Sequence, residues 1–191
     1  MLSVKKIICG ELKENCYIIS DLKTLDTLII DPGCNFGAIS KYIDQKNLNV
    51  CAILLTHGHY DHIGACKNLQ DIGYKIAIHE LDADKCTNNI LNLSNSFSEI
   101  ITKTFTPDIL LFGDEKKLQF GSLNVTMLHT PGHSEGSCCY VIGNYLFSGD
   151  TVFDIGYGRT DFYDGNGQKL RQSIRKLSTY LIGDYVLCAG H

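Results

Sequence analysis

The stretch LLTHGHYDHIG, from Leu54 to Gly64, constrains this chain more than any other part of its sequence. It begins inside the apolar run VCAILLT (50–56) and places three of the seven histidines and one aspartate within six positions. A short, continuous apolar run is typical of a strand buried on both faces. The sequence therefore predicts a buried strand that ends in a dense group of polar side chains.

The spacing of these side chains favours metal binding over a solvated polar loop. In an extended segment His57 and His59 point to the same side, so their imidazoles can hold one metal ion. Gly58 lets the backbone between them bend without a side chain in the way. Asp61 and His62 fall where the chain turns into the next predicted helix, and they can face a second point nearby.

Further metal-binding side chains are predicted at the ends of other strands. His133 lies in TPGHSEGS, Asp150 ends LFSGD, and His191 ends VLCAGH. Loops that follow the strands of a rigid sheet are a common place for an active site. Seven nitrogen and oxygen donors, with one carboxylate able to bridge and no cysteine among them, are typical of a two-metal hydrolytic centre.

The rest of the chain alternates between short strands and helices. Strands are predicted at 3–9, 15–20, 26–31, 50–56, 75–79, 123–129, 138–143, 144–150 and 185–191, with a hairpin turn at Gly143-Asn144. Helices are predicted at 36–47, from Ile63 to about Leu69, over 80–86 and at 167–180, and the segment up to residue 106 is predicted to be a covering loop. This order predicts a layered α/β sandwich of two sheets covered by helices, as a single domain over residues 1–191.

Composition restricts the partners and the compartment. A formal net charge of −4 argues against nucleic acid as a partner, and no apolar run approaches the roughly 18 residues of a membrane span. The nine cysteines include no C-x-x-C pair, which excludes zinc-ribbon and thioredoxin spacings. Because their number is odd and no signal peptide is recognisable, we expect reduced, mostly buried thiols in a cytoplasmic protein.

Five motifs carry a resemblance to a known family: THGHYDHIG, TPGHSEGS, LFSGDTVF, GYGRTDF and the final GH. With them the chain resembles the metallo-β-lactamase-fold hydrolases, and among these the short glyoxalase II-type (hydroxyacylglutathione hydrolase-like) proteins. The similarity runs from about Leu2 to His191. It implies a four-layer αβ/βα sandwich with the active site at one edge, between the sheets.

The resemblance also implies a ligand set. One metal ion would be held by His57, His59 and His133, the second by Asp61, His62 and His191, and Asp150 would bridge them. Asp61 and Asp150 would then be the carboxylates of the catalytic centre. Zinc is the expected metal, with iron and manganese as alternatives, because imidazole and carboxylate suit all three.

The resemblance is incomplete at the C-terminal end, and it leaves the roles of three polar residues undecided. Larger glyoxalase II enzymes carry a C-terminal helical domain that grips glutathione, and relatives continue past the final GH, so a truncated C-terminus is one expectation. Arg159 is expected either to form a plain salt bridge with Asp161 or to contact a substrate anion and brace its loop. His79 is expected to have a surface or capping role, and His129 to form a structural hydrogen bond.

The expected reaction is hydrolysis by a metal-bridged hydroxide. Two bound ions lower the pKa of a bridging water toward ~7. The motifs supply no separate strong acid, so a leaving group that departs as an anion is favoured, and a thiolate meets that condition better than an amide nitrogen. The first expected substrate is therefore a small thioester such as S-D-lactoylglutathione, the glutathione part coming from the resemblance.

Other activities stay open. A persulfide dioxygenase of the same superfamily would use a single iron ion held by His57, His59, His133 and Asp150. Lactonases and β-lactamases share the cluster, whereas superfamily nucleases usually add a second domain and basic surfaces. A metal-binding module without catalysis is the remaining class, and the sequence does not address the oligomeric state.

Overall fold

The computed structural model describes residues 1–97 and 102–191, and the strands of this part of the chain form two sheets. The first contains, in spatial order, β1 (Leu2–Cys9), β2 (Glu14–Asp21), β3 (Asp26–Ile30), β4 (Asn49–Leu54), β5 (Ile76–His79) and β6 (Ile109–Leu111). The second contains β11 (Val186–Ala189), β10 (Tyr145–Gly149), β9 (Cys138–Ile142), β8 (Leu123–His129) and β7 (Glu115–Phe120).

Helices flank the two sheets. In chain order they are α1 (Phe36–Lys46), α2 (Tyr60–Ile63), α3 (Cys66–Asp71), a 3₁₀ helix (Glu80–Cys86), α4 (Ser94–Phe97), α5 (Gly167–Lys176) and α6 (Ser178–Ile182). Helix α1 has an amphipathic pattern and buries Ile39 and Ile43. The α/β sandwich of the metallo-β-lactamase fold that the sequence predicts is confirmed.

Side-chain alternation along the strands produces the layers. In β2, Ile18 packs with the α1 residues Ile39 and Ile43, whereas its neighbours Tyr17 and Ile19 face the second sheet. Successive side chains of a strand point to opposite faces, so one strand contributes to two cores. The core between the sheets includes Leu28, Met127, Tyr140 and Phe147. A third cluster, which includes Leu128, Leu146 and Leu177, joins the second sheet to the segment between α5 and α6.

The strand directions bring the polar segments to one edge. In the first sheet β3, β4 and β5 are parallel, so Asp31, His57 and the 3₁₀ helix follow strand ends on the same side. In the second sheet β10 and β11 are parallel, and β8 also runs in their direction because β9 is antiparallel to both β8 and β10. The segments carrying His133, Asp150 and His191 therefore leave this sheet together.

Several predicted elements differ from the structure. The helix predicted from Ile63 to Leu69 is two short helices, and the one predicted at 167–180 is divided at Leu177. Strands β6 and β7 were not predicted, the helix at 80–86 is a 3₁₀ helix, and α4 lies within the predicted covering loop. Residues 98–101 of that loop lie outside the described residues.

The hairpin turn and the cysteine prediction agree with the structure. Strands β9 and β10 pair through Ile142 and Tyr145, with Gly143 at a φ of 59° in the turn between them. All nine cysteines are free thiols, and only Cys34 and Cys51 are not fully buried. Within residues 1–97 and 102–191, no helix has the length and apolar character needed to cross a membrane.

Candidate metal centre

The seven side chains proposed from the sequence as metal ligands converge at the edge where the strand ends of both sheets meet. The first group, His57, His59 and His133, brings its ligand atoms within 4.8 Å of one another. The second group, Asp61, His62 and His191, satisfies the same limit, and so do His57, His62 and Asp150. Residues far apart in the chain thus form two adjoining sets of donors.

Each imidazole of the first group is oriented by its neighbours. His57 Nδ1 lies 3.1 Å from the Thr56 hydroxyl, and His133 Nδ1 donates to the Arg159 carbonyl at 2.8 Å. His59 turns Nδ1 toward His133 Nε2 at 2.9 Å. The outer contacts of His57 and His133 fix ring orientation and leave Nε2 of each for a metal ion, whereas the contact between His59 and His133 places two candidate ligand atoms side by side.

The second group is oriented by different partners. His62 Nδ1 lies 3.0 Å from Asp31 Oδ2, while its Nε2 lies 3.7 Å from Asp61 Oδ2. His191 Nδ1 donates to the Leu12 carbonyl at 2.9 Å, and its Nε2 lies 3.3 Å from Asp61 Oδ2. The outer contacts of the two groups meet at one point, where the Thr56 hydroxyl beside His57 donates to Asp31 Oδ2 at 2.6 Å.

Asp150 lies between the two groups. Its Oδ1 is 3.3 Å from His62 Nε2, and its Oδ2 is 3.5 Å from His133 Nε2 and 3.6 Å from His191 Nε2. One carboxylate thus faces imidazoles of both groups, which is the position that a bridging ligand requires.

The buried polar atoms of this cluster fit a pair of divalent ions. Nε2 of His57, Nε2 of His62 and Oδ1 of Asp150 are buried and make no hydrogen bond of acceptable geometry. Buried polar atoms normally have partners, because leaving one unsatisfied costs about 1–3 kcal/mol. A set of imidazole and carboxylate donors suits zinc, iron and manganese, so bound ions would satisfy these atoms.

Burial and neighbouring charges set the protonation of the histidines. Burial, reinforced by the adjacent imidazoles, lowers the pKa of His57 well below its ordinary value and that of His59 to about 3. Burial opposes the charged form of His62 as well, but Asp150 and Asp61 outweigh it and raise the pKa of His62 well above its usual range. The pKa of His191 is also raised against burial, through its contact with Asp61 and the nearby Asp150.

Both aspartates of the centre stay ionised. Burial favours their neutral forms, but His62 next to each of them lowers the pKa of Asp61 and of Asp150 below the ordinary range. His191 lowers both further. The chain therefore presents two negative carboxylates to a cation.

Sequence reasoning missed three buried acidic residues behind this centre. Asp31 accepts hydrogen bonds from the backbone amide and the hydroxyl of Thr56, at 2.7 and 2.6 Å. Its Oδ2 also lies 3.0 Å from His62 Nδ1. Glu14 is fully buried 3.9 Å from His62 Nδ1, and burial raises its pKa well above the ordinary value. Asp82 lies in the 3₁₀ helix. Only Asp31 had a usable signal, its position as the last residue of the strand predicted at 26–31.

Arg159 and the two remaining histidines have defined structural contacts. The Arg159 guanidinium pairs with Asp161 through bonds of 2.6 and 2.5 Å and stacks 4.6 Å from the Phe162 ring. His79 accepts from the Leu81 amide as the N-cap of the 3₁₀ helix, although it is buried rather than at the surface. His129 Nε2 donates to the Glu135 carbonyl at 2.9 Å. The salt bridge, the cap and the structural hydrogen bond are all present.

A cavity of about 420 Å³ opens onto the proposed ligands, a size suited to a small organic molecule. Five of the proposed ligands line it, together with Leu12, Tyr60, Leu93, Phe153, Gly158, Arg159 and Phe162. Phe162 packs edge-on against His59 with ring centroids 5.0 Å apart, and Phe153 does so against His191 at 6.1 Å. Beyond the metal ligands, the walls are largely apolar.

Comparison with known proteins gives consistent matches. The family model described as "Metallo-beta-lactamase superfamily" matches residues 9–191. "Probable metallo-hydrolase YqgX" of Bacillus subtilis is 34% identical over 98% of this chain and 89% of its own length. "Hydroxyacylglutathione hydrolase GloC" of Haemophilus influenzae is 31% identical over 100% of this chain and 91% of its own length.

Solved structures match over similar lengths. The BLEG-1 B3 metallo-beta-lactamase superposes with a TM-score of 0.92 and 32% identity, covering 99% of this chain and 91% of that one. TTHA1623, solved in a di-iron-bound form, gives a TM-score of 0.85 and 28% identity, covering 98% of this chain and 91% of that one.

Proposed function

The chain belongs to the metallo-beta-lactamase superfamily, and from this premise we propose that it is a metal-dependent hydrolase of small thioesters. The observation that carries the proposal is the convergence of seven histidine and aspartate side chains, several with unsatisfied buried atoms, on one cavity. We take S-D-lactoylglutathione or a related hydroxyacyl thioester as the first candidate substrate.

The proposed ligand assignment follows the two groups. His57, His59 and His133 would hold one ion, Asp61, His62 and His191 the other, and Asp150 would lie between them. When bound, two divalent ions supply hydroxide at neutral pH and polarise the carbonyl oxygen of a substrate. We favour zinc, with iron and manganese as alternatives.

The state of the two cavity carboxylates supports the thioester over an amide. Asp61 and Asp150 line the cavity, and as ligands of the two ions they would be ionised carboxylates. Neither can therefore protonate a leaving group. A thiolate leaves without prior protonation, since the parent cysteine thiol has a pKa of about 8.5, whereas an amide nitrogen needs an acid. The similarity to the Haemophilus influenzae hydroxyacylglutathione hydrolase favours the same substrate class.

Opening of a β-lactam ring is the second candidate. It is favoured by the similarity to BLEG-1, a B3 metallo-beta-lactamase. The largely apolar walls of the cavity, including Phe153 and Phe162, are compatible with a cyclic substrate. Arg159 would contact a substrate anion in either reaction only after release from Asp161.

One experiment separates these activities. The protein is produced in defined medium with equal zinc, iron and manganese, its metal content is measured, and it is assayed with S-D-lactoylglutathione, a chromogenic β-lactam, a lactone and glutathione persulfide with oxygen monitoring. We expect two ions per chain and thioester cleavage, with both metal and turnover largely lost in His59→Ala. One iron ion with oxygen uptake would instead identify a persulfide dioxygenase. Bound metal without turnover of any substrate would contradict the hydrolase proposal.

A further inference from the structure

Asp82 is a fully buried carboxylate with four hydrogen-bond donors around it. Its Oδ2 accepts from the Gly58 amide at 2.9 Å and from the Ser134 hydroxyl at 2.8 Å. Its Oδ1 accepts from the Gly136 amide and from Lys85 Nζ, both at 2.8 Å. Each oxygen thus accepts one hydrogen bond from the loop of residues 134–136. The second donor is Gly58 for Oδ2 and Lys85 for Oδ1.

Three of these four donors, Gly58, Ser134 and Gly136, belong to the two loops that carry the first group of ligands. Gly58 separates His57 from His59, and Ser134 directly follows His133. We propose that Asp82 is the positioning residue of the three-histidine site: by bonding both loops at once, it fixes the distance between His133 and the other two imidazoles. Asp82 is not among the residues that line the cavity.

Close packing around the carboxylate supports this role. A β-carbon at Gly136 would lie 2.6–2.8 Å from atoms of Asp82, and one at Gly58 would lie 2.6 Å from the Lys85 side chain. Glycine at both positions therefore permits the loops to approach the 3₁₀ helix. A carboxylate that bonds each backbone at this range leaves the loops little freedom to separate.

The Lys85 ammonium keeps Asp82 ionised, and a second partner of this lysine extends the connection. Lys85 Nζ also contacts Asp164 Oδ2 at 2.7 Å, and both ends of this bridge are largely buried. Asp164 Oδ2 in turn accepts from the Glu135 amide at 2.9 Å. A buried carboxylate without a partner is costly, so the lysine stabilises the charge that the loops require.

Within residues 1–97 and 102–191, no side chain of the second group is hydrogen-bonded to Asp82. His62 and His191 are oriented by Asp31 and by the Leu12 carbonyl, respectively. The proposal therefore predicts a selective effect: loss of the Asp82 carboxylate weakens the ion at the first group and spares the one at the second. This inference rests on the proposed metal centre, but not on the identity of the substrate.

Cobalt(II) binding can test each site alone. His191→Ala disables the second group and His133→Ala the first, and cobalt(II) affinity is measured in both backgrounds by absorption in competition with a chelator. Adding Asp82→Asn leaves one acceptor oxygen in place of two. In the His191→Ala background we expect affinity to fall about 10–100-fold with a changed cobalt spectrum, and in the His133→Ala background to change by no more than about twofold.

The matched control is Asp108→Asn. Asp108 also accepts from a backbone amide, that of Ile76, and from Lys75, but between β5 and β6 rather than at the centre. It should leave both affinities unchanged. Because Asp82→Asn can impair folding, Ser134→Ala serves as a milder variant that removes one bond to Asp82, and it should lower affinity only in the His191→Ala background.

Three results would overturn the inference. Equal losses in both backgrounds would mean that Asp82 supports the fold in general rather than the first group. Unchanged affinity in a folded Asp82→Asn or Ser134→Ala protein would show that the loops are held without it. Absence of cobalt binding by the unmodified protein would contradict the metal centre itself, and the inference with it.

Discussion

The Tyr17 hydroxyl donates a 2.8 Å hydrogen bond to the Ala189 carbonyl, joining the first sheet to the last strand of the second. The Asn15 side chain donates to the same carbonyl at 3.0 Å, and the Asn15 amide donates to the Gly190 carbonyl at 2.8 Å. These three bonds hold the segment that presents His191. The position of this proposed ligand is therefore set by residues of β2, more than 170 positions earlier.

Tyr17→Phe should weaken binding of the second metal ion more than binding of the first. The change removes one hydroxyl and leaves the ring in the core, so the free energy of unfolding should fall by about 1 kcal/mol. Because Ala189 loses one of its donors, His191 should be held less firmly. Zinc titration against a chelator measures the two affinities, and urea unfolding measures the stability.

Tyr185→Phe is the matched control for this prediction. Tyr185 is partly exposed and its ring contacts Tyr180, away from the ligands. It should alter neither affinity. Equal weakening of both ions in Tyr17→Phe would mean that the hydroxyl supports the sheets and not the His191 segment.

Asp150→Asn should weaken the binding of both metal ions together. The two carboxylate oxygens face different groups, with Oδ1 near His62 and Oδ2 near His133 and His191. An amide keeps the shape but removes the charge and one acceptor oxygen. Metal content after dialysis should therefore fall toward zero, with loss of hydrolysis. Retention of one full equivalent of metal would show that the carboxylate does not bridge.

Metal binding should release more protons at the second group than at the first. His57 and His59 are already neutral, because burial lowers their pKa values, whereas the raised pKa values of His62 and His191 keep these imidazoles protonated without metal. A ligand must lose its proton to bind. Calorimetry in buffers of different ionisation enthalpy should show more protons released in His133→Ala than in His191→Ala, by up to about two. Equal release in the two variants would contradict this assignment.

Metal-free protein should lose stability on both sides of neutral pH. The pKa values of His57 and His59 in the folded protein lie below the value of about 6.5 for an unfolded chain. The unfolded chain therefore takes up protons first as the pH drops below about 6.5. The free energy of unfolding then falls by up to about 1.4 kcal/mol per pH unit for each histidine. The raised pKa of His62 has the opposite effect on stability. Its stabilising contribution is present at low pH and is lost as the pH rises through the pKa of His62 in the folded protein. Urea unfolding midpoints from pH 5 to 9 measure how stability changes with pH on each side of neutrality. His59→Gln should reduce the loss of stability on the acid side. An unchanged acid-side loss in this variant would show that it does not arise from His59.

How far the sequence predicts this molecule depends on whether a residue's partners are local. The ligand positions could be proposed because each follows a strand recognisable from its own residues, as His57 follows VCAILLT. Asp31 resembled a simple turn residue because its partners, Thr56 and His62, are more than 20 positions away. Asp82 gave no signal, since its partners at Gly58, Ser134 and Gly136 meet only in the folded chain.

Tertiary contacts also explain the errors in the elements. The helix predicted from Ile63 is interrupted because the Ala65 amide donates to the Pro32 carbonyl at 2.9 Å, and because Gly64 packs directly on the Gly33 backbone. Strand β7, EKKLQF, is an edge strand whose first half is charged and exposed. Its sequence lacks the apolar run that identified the central strands, so only its pairing with β8 reveals it.

Gly190→Ala should weaken metal binding without unfolding the protein, whereas Gly37→Ala should stabilise it without affecting metal. A β-carbon at Gly190 would lie 2.3 Å from Asp150 Oδ1 and 2.9 Å from His62 Cε1, so both side chains must shift and both ions should bind less tightly. A β-carbon at Gly37 meets nothing within 4 Å inside α1, where alanine is favoured over glycine by up to about 1 kcal/mol. Chelator competition and urea unfolding measure the two effects. Unchanged metal affinity in Gly190→Ala would mean that Asp150 and His62 can move without losing their ions, which contradicts a centre fixed by close packing.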